Sequence, residues 1–148
     1  MPAVAGHPWL RRSVEYCLQA IDGLQTPPFA IEFSYCLQLL DAVADPAADA
    51  LLARLGGWLP EDGLLPVAGG AAGETLRALD VSPWPERPLR RLYRAELIEA
   101  ELDRLDRAQQ PDGGWSVDFD SYSAAGALEW RGYATVRAVA VLQANARS

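Results

Sequence analysis

The chain contains few of the residues that most often carry chemistry. Its 148 residues include two cysteines, Cys17 and Cys36, and a single histidine, His7. These are too few and too scattered for a structural zinc site, which needs a full set of cysteine and histidine ligands. They also exclude a disulfide-stabilised domain, and because both cysteines fall on apolar helical positions, we expect buried free thiols. The sequence predicts neither a bound metal nor a cofactor.

Positive charge and long apolar runs are also scarce. Lysine and arginine total 13 against 20 aspartate and glutamate residues, which gives a formal net charge of −7. Such a chain offers no basic stripe for nucleic-acid phosphates or for an anionic membrane surface. Its longest apolar runs fall far short of the roughly 20 residues that cross a bilayer, and residues 1–8 lack the pattern of a signal peptide. We therefore expect a cytoplasmic protein with no nucleic-acid partner and no membrane span.

The apolar residues make up 50% of the chain and recur mostly at helical spacing. At this length we expect one domain, residues 1–148, with a single sizeable core. No segment shows a convincing strand alternation. The spacing predicts an all-α fold of about six helices, near residues 8–22, 29–43, 46–56, 72–79, 89–110 and 129–145.

Two of these helices differ from the others because they are apolar on nearly every side. Helices 29–43 and 129–145 carry apolar residues all the way round, whereas helix 8–22 is one-sided. A helix that is apolar on every side is usually buried. We therefore predict an inner layer of helices 29–43, 72–79 and 129–145, with the one-sided helices outside it.

The most specific local pattern runs from Gln109 to Trp115. Pro111 lacks an amide hydrogen, so the preceding helix must end before it. Gly113 accepts a positive φ in the reversal that follows. Gln109 can then bond the loop amides, and Trp115 can pack back on the two helices. We predict that Gln109, Gly113 and Trp115 hold the fold together; contact with a ligand is the alternative for Gln109 and Trp115.

When Leu105 is included, the segment has the spacing Leu105-x3-Gln109-x3-Gly113-x-Trp115. This pattern resembles the QW motif of the squalene/hopene cyclase and prenyltransferase superfamily. Members of that superfamily fold as α/α toroids of stacked helical hairpins. The resemblance therefore implies a toroid-like arrangement of helices in this chain, and it names no reaction.

Weaker echoes of this turn suggest a repeat. The dipeptide Asp-Gly recurs at residues 22–23, 62–63 and 112–113, with spacings of 40 and then 50 residues. Such a period fits a two-helix repeat, and one repeat cannot bury its own apolar face. We predict three hairpins, about half of the toroid that the resemblance implies. A second copy in a homodimer, or a separate N-terminal half, would then cover the inner surface; the chain could also be the tail of a longer product.

Two candidate acid residues, Asp118 and Asp120, follow the turn at residues 111–114. Class II terpene cyclases protonate an alkene with an aspartate of an Asp-x-Asp-Asp motif, which needs a paired carboxylate in an apolar pocket. Here Ser121 replaces the last aspartate, so the match is weak, and carboxylates that cap the next helix are the alternative. Magnesium-dependent prenyl transfer would need a larger aspartate cluster. The sequence holds no complete catalytic motif, so whether it is an enzyme stays open.

Aromatic residues at the starts of two inner helices are the best candidates for a ligand site. In the folds that this chain resembles, these starts line the mouth of a central cavity, where aromatic rings stack on apolar or cationic ligands. Two carboxylates lie beside them at matching places. The predicted ligand-binding residues are Phe33, Tyr35, Trp130, Tyr133, Glu32 and Glu129. The alternative is ordinary core aromatics with carboxylates in favourable first helical turns.

These features favour a non-catalytic or accessory module that resembles the cyclase/prenyltransferase repeat and binds a hydrophobic small molecule or a protein partner. One alternative is a subunit, or the C-terminal half, of an isoprenoid-metabolising enzyme whose catalytic residues lie on another chain. Another is a purely structural scaffold that self-associates. The missing acid and metal residues favour the first and third of these over the second.

Overall fold

The computed structural model describes residues 7–117 and 119–147, and over these ranges the fold is all-α, as predicted. A two-residue strand β1 (Leu65–Pro66) pairs with β2 (Thr75–Leu76) in antiparallel fashion, and a 3-10 helix spans Pro88–Leu92. The α-helices of the described ranges are α1 (Pro8–Asp22), α2 (Ala30–Ala42), α3 (Pro46–Gly56), α4 (Ala78–Val81), α5 (Ala95–Arg107) and α6 (Ala124–Ala144).

Local capping explains where several helices begin. Helices α1 and α3 start on a proline, whose missing amide costs nothing in a first turn. The Asp45 carboxylate caps α3 by accepting from Ala47 N at 2.7 Å. The Ser123 hydroxyl caps α6 by accepting from Gly126 N at 3.0 Å. Because of this cap, α6 begins at Ala124, five residues before the predicted start at residue 129.

The predicted helix at residues 72–79 is wrong over most of its length. Gly73 has a φ of 79°, which ends any helical run, and Thr75–Leu76 forms β2. Helical structure covers only Ala78–Val81. A four-residue helix cannot serve as a full inner helix, so that part of the predicted layering does not hold.

The predicted helix at residues 89–110 is interrupted near its start. Leu89 is fully buried beside α2, and its amide donates to the Asp41 carboxylate at 2.6 Å. Ile98 is buried in a different core. The chain turns through extended backbone at Tyr93 and Arg94 before α5 begins, and this turn lets both apolar residues reach their separate cores. One straight helix could not place them so.

The core is divided into two clusters. The first core lies among α1, α2, α3 and the 3-10 helix, and its largest fully buried side chains include Phe33, Leu37 and Leu55. The second core lies among α4, α5 and α6 and includes Ile98 and Trp115. The buried apolar residues of the described ranges therefore form two clusters and not the single core that was predicted.

The two apolar helices are not buried on every side, contrary to prediction. Helix α2 buries Phe33 and Leu37 but leaves Tyr35 65% exposed. Helix α6 leaves Leu128 and Val136 exposed at 73% and 72%. Among the described elements, α5 is the main neighbour of α6, and the side of α6 that carries Leu128 and Val136 stays open.

The two cysteines are half-buried rather than buried. Both Cys17 and Cys36 are free thiols. Cys36 lies at the flank of α2, between its buried face and its open face, which explains the partial exposure. Burial and the nearby Glu32 carboxylate raise the pKa of the Cys36 thiol. A raised pKa lowers the fraction of thiolate, which is the reactive form of the group.

The C-terminal end and the middle of α6 are tied to the body of the protein. At its C-terminal end, Arg90 donates to Asn145 Oδ1 at 2.8 Å and to Ser82 O at 2.7 Å. Nearer its middle, Thr135 Oγ1 accepts from the backbone N–H of Trp115 at 3.0 Å. These bonds fix the helix that carries most of the site described below.

Removal of the buried Trp115 indole should destabilise the protein strongly. Trp115 is 5% exposed, and its Nε1 donates to Leu105 O at 2.7 Å. We expect Trp115→Ala to cost about 3–5 kcal/mol, because it leaves a cavity in the second core. Urea unfolding measures this cost. The control is Trp84→Ala, since Trp84 is 40% exposed and should cost less than half as much; equal costs would contradict the structural role of Trp115.

Candidate ligand-binding cleft

A cleft of about 410 Å³ opens where α2, α5 and α6 meet β2 and α4. Its volume lies within the range of roughly 300–1,000 Å³ that is usual for small-molecule sites. Its floor is apolar and includes Leu79, Leu105, Trp115 and Ala138. Trp115 thus belongs both to the second core and to the cleft surface, so the site depends directly on the packing of that core.

Aromatic rings form one wall of the cleft. The Trp130 ring lies edge-on to Phe119, with centroids 5.3 Å apart, and edge-on to Tyr133 at 5.7 Å. Edge-to-face pairs of this kind stabilise one another and hold their rings in fixed orientations. Tyr35 reaches the same cleft from α2. Trp130, Tyr133 and Tyr35 are 43%, 54% and 65% exposed, so each retains apolar surface for a ligand.

Arg137 organises a polar end of the cleft. Its Nη2 donates to the backbone carbonyl of Asp80 at 2.7 Å and to that of Leu79 at 3.3 Å. Its Nε lies 3.5 Å from the Asp80 carboxylate, and its Nη1 donates to the Tyr133 hydroxyl at 3.4 Å. One guanidinium therefore joins α6 to α4 and orients an aromatic residue of the wall.

Two further arginines of the cleft share one carboxylate. Glu101, whose side chain is 14% exposed, lies 3.4 Å from Arg77 and 3.1 Å from Arg104. The Asp80 carboxylate also accepts from the Arg77 backbone N–H at 2.9 Å, and the Glu74 carboxylate accepts from Ala71 N at 2.9 Å. The charged groups around the cleft are thus paired or hydrogen-bonded to backbone.

The structure brings three of the six predicted ligand-binding residues together. Tyr35, Trp130 and Tyr133 all line the cleft. Phe33 does not, because it points into the first core at 1% exposure, with its ring centroid 6.2 Å from that of Trp58. The two predicted carboxylates are exposed and lie away from the cleft lining: Glu32 and Glu129.

The two candidate acid residues gain no catalytic geometry. Asp118 lies outside the described residues. Asp120 is exposed in the loop before α6. The capping alternative does not hold for Asp120, because the cap of α6 is Ser123.

The segment from Gln109 to Trp115 closes a tight turn. Gln109 Nε2 donates to Gly113 O at 3.1 Å, so the glutamine bonds a loop carbonyl rather than the expected amide. Gly113 has a φ of 85°, and its N–H donates to Gln110 O at 2.8 Å. This turn delivers Trp115 to the second core and to the cleft floor.

A second Asp-Gly turn repeats this geometry. In each, the glycine has a positive φ, 68° at Gly63 and 85° at Gly113. The preceding aspartate accepts the N–H of the residue after the glycine, at 3.0 Å for Asp62 and 3.2 Å for Asp112. The third dipeptide differs, because Gly23 has a φ of −68° and continues a helical turn. Two of the three Asp-Gly dipeptides therefore form structurally similar turns.

Sequence reasoning missed the polar residues of the cleft. Arg137 was detectable, because it is a charged residue in a largely apolar helix, one turn after Tyr133. Asp80 and Glu101 gave no comparable signal, since both belong to segments that are already polar. Their partners are distant in sequence and become neighbours only through folding.

Comparison with protein-family models, with curated proteins and with solved structures finds no significant match to this chain. The resemblance to the cyclase and prenyltransferase superfamily therefore stands on the residues of the motif alone. Over residues 7–117 and 119–147, no three histidine, cysteine, aspartate or glutamate side chains cluster as a metal site would require. Within the same ranges, no helix combines the length and hydropathy needed to cross a membrane.

The turn that leads into the cleft should lose stability in acid. Hydrogen bonding from Gly114 N and then from the Arg131 guanidinium lowers the pKa of the Asp112 carboxyl. A lowered folded-state pKa stabilises the fold above the unfolded value of about 3.9, and this contribution is lost as pH falls through the folded value. Asp112→Ala should therefore be less stable than wild type near neutral pH, with a difference that shrinks in acid.

Urea unfolding as a function of pH measures this effect. The matched control is Asp120→Ala, which removes an exposed loop carboxylate. We expect little difference between that variant and wild type near neutral pH. A deficit for Asp112→Ala that is constant from neutral to strongly acidic pH would show that the carboxylate charge does not stabilise the turn.

Proposed function

We propose that this protein is a non-catalytic binding module that holds an apolar small molecule in the cleft. The observation that carries this proposal is the convergence of Tyr35, Trp130 and Tyr133 on one cleft with an apolar floor. Two helices far apart in sequence contribute these rings, yet all three keep exposed surface there. Aromatic faces around a concave apolar surface are the usual means of binding flat hydrophobic molecules.

The state of the cleft carboxylates favours binding over catalysis. A general acid needs a carboxyl group that can reach the reacting atom with its proton. Asp80 accepts the Arg77 backbone N–H and faces the Arg137 guanidinium. Glu74 accepts the Ala71 backbone N–H. Both carboxylates are thus engaged in holding the fold, and neither is presented to a ligand as an acid.

The proposed relation to cyclases and prenyltransferases concerns the arrangement of the helices and not an activity. The QW-like turn supports it, since Trp115 packs between two helices and Gln109 closes the turn. A half-toroid completed by a second chain remains the form we propose for the intact assembly. An enzyme subunit whose acid or metal residues lie on that other chain is the competing form.

Titration with N-phenylnaphthylamine, a neutral dye that fluoresces in apolar surroundings, tests the binding function. We expect saturable binding at one site per chain. Trp130→Ala should weaken it about fivefold or more, because the variant removes a wall of the cleft. Trp84→Ala is the matched control, since Trp84 has nearly the same exposure, 40% against 43%, but lies elsewhere. Absence of saturable binding, or an equal effect of both variants, would overturn the proposal.

A self-associating scaffold is the second candidate, favoured by the exposed surface of α6. Large exposed hydrophobic residues concentrate between residues 122 and 139, including Leu128, Val136 and Val139. With Gly132, these three residues form one uncharged stripe along the helix, spaced four, four and three residues apart. A second copy would bring an equally uncharged stripe in a chain that otherwise carries a net charge of −7. Two-fold pairing is the commonest arrangement of identical chains.

Sedimentation velocity over a range of concentrations tests the pairing. We expect a homodimer that Val136→Glu weakens about tenfold or more, because the change would bury a charge in the contact. Tyr16→Glu is the matched control, because Tyr16 on α1 is 73% exposed and Val136 is 72% exposed. A monomer at every concentration would exclude the scaffold, as would equal weakening by both variants.

A further inference from the structure

The polar end of the cleft bears on which kind of apolar molecule fits. This inference about the ligand rests on the proposed binding function. Arg137 is held in place by two backbone carbonyls, Asp80 O at 2.7 Å and Leu79 O at 3.3 Å. From that fixed position its Nη1 donates to the Tyr133 hydroxyl at 3.4 Å. A guanidinium can only donate hydrogen bonds, so the Tyr133 oxygen is the acceptor in this contact.

The Tyr133 hydroxyl therefore has its own proton to donate. A phenol carries one O–H donor, and in this arrangement that proton points away from the guanidinium. Among the described residues, the hydroxyl makes no hydrogen bond other than the one from Arg137. Tyr133 lines the cleft and is 54% exposed, so a bound molecule can reach the hydroxyl. An oxygen acceptor on the ligand would satisfy it.

Charge around the cleft disfavours a ligand with a formal charge. Arg77 and Arg104 face Glu101 at 3.4 and 3.1 Å, and Arg137 faces Asp80 at 3.5 Å. A charged ligand would lose hydration on entry and would meet both signs of charge together, so its desolvation would not be offset. A cation would also be repelled by the guanidinium that lies against Tyr133.

We propose that the cleft binds an uncharged apolar molecule that carries a carbonyl oxygen, and that the Tyr133 hydroxyl donates to this oxygen. The aromatic wall takes the apolar body, and the Arg137 guanidinium holds the hydroxyl in the orientation for donation. Tyr133 is thereby a specificity-determining residue. A ketone, an ester and an amide share the required chemistry.

Three naphthalene dyes of similar size test this inference. Prodan is a neutral naphthalene ketone, N-phenylnaphthylamine is neutral and has no oxygen, and anilinonaphthalene sulfonate is an anion. We expect prodan to bind more tightly than either of the others. Tyr133→Phe should weaken prodan about three- to tenfold, which is the usual net worth of one hydrogen bond, and should change N-phenylnaphthylamine by less than about twofold. Prodan bound to the Tyr133→Phe variant should also lose the red shift of its emission that hydrogen bonding to the ketone produces in the wild-type cleft.

The outcomes separate this inference from the proposed function. Tyr133→Phe keeps the aromatic wall, and thermal melting of the variant checks that it folds. Equal weakening of prodan and N-phenylnaphthylamine would show that Tyr133 acts only as a wall, which overturns the inference while the binding function stands. Tighter binding of the sulfonate than of prodan would also overturn it, because the cleft would then select an anion. Failure of all three dyes to bind would overturn the proposed function itself.

Discussion

The fold and the cleft both depend on how Trp115 joins α5 to α6. Its indole N–H donates to Leu105 O at 2.7 Å, and its backbone N–H donates to Thr135 Oγ1 at 3.0 Å. The Thr135 hydroxyl in turn donates to Arg131 O at 2.8 Å, so the contact continues into the backbone of α6. Because the indole is 5% exposed, its hydrogen bond to Leu105 O is largely shielded from water, and breaking it would leave a buried indole N–H without a partner. One residue thus connects the second core with the floor of the cleft.

The sequence allowed the prediction of those features that depend on local chemistry. Pro111 and Gly113 predicted a turn after a helix, and the structure has that turn. The all-α class followed from helical spacing and is confirmed. The break before α5 was missed, because it arises from the demand that Leu89 and Ile98 enter different cores. No local pattern records such a demand. The exposed side of α6 was missed for a related reason, since apolar composition does not reveal whether a neighbour exists.

In the candidate site, too, the features that depend on local sequence were predictable, and those that depend on the complete fold were not. The aromatic residues at helix starts predict a shared site, and Tyr35, Trp130 and Tyr133 do lie together in the cleft. The same pattern predicts Phe33 in this site, but the helical turn places it on the opposite, buried face of α2. The polar end could not be predicted, because Arg137 bonds Asp80 O across 57 residues of sequence. Long-range pairing of this kind depends on the complete fold.

The most direct test of the account is an NMR titration of the five tryptophan indole N–H signals with N-phenylnaphthylamine. Two of these indoles, Trp115 and Trp130, belong to the cleft, whereas Trp9, Trp58 and Trp84 lie elsewhere. We predict that the dye shifts the signal of Trp130 most and that of Trp115 next, and leaves the other three in place. Shifts centred on Trp9 or Trp84, or shifts spread evenly over all five signals, would contradict a specific ligand site in this cleft.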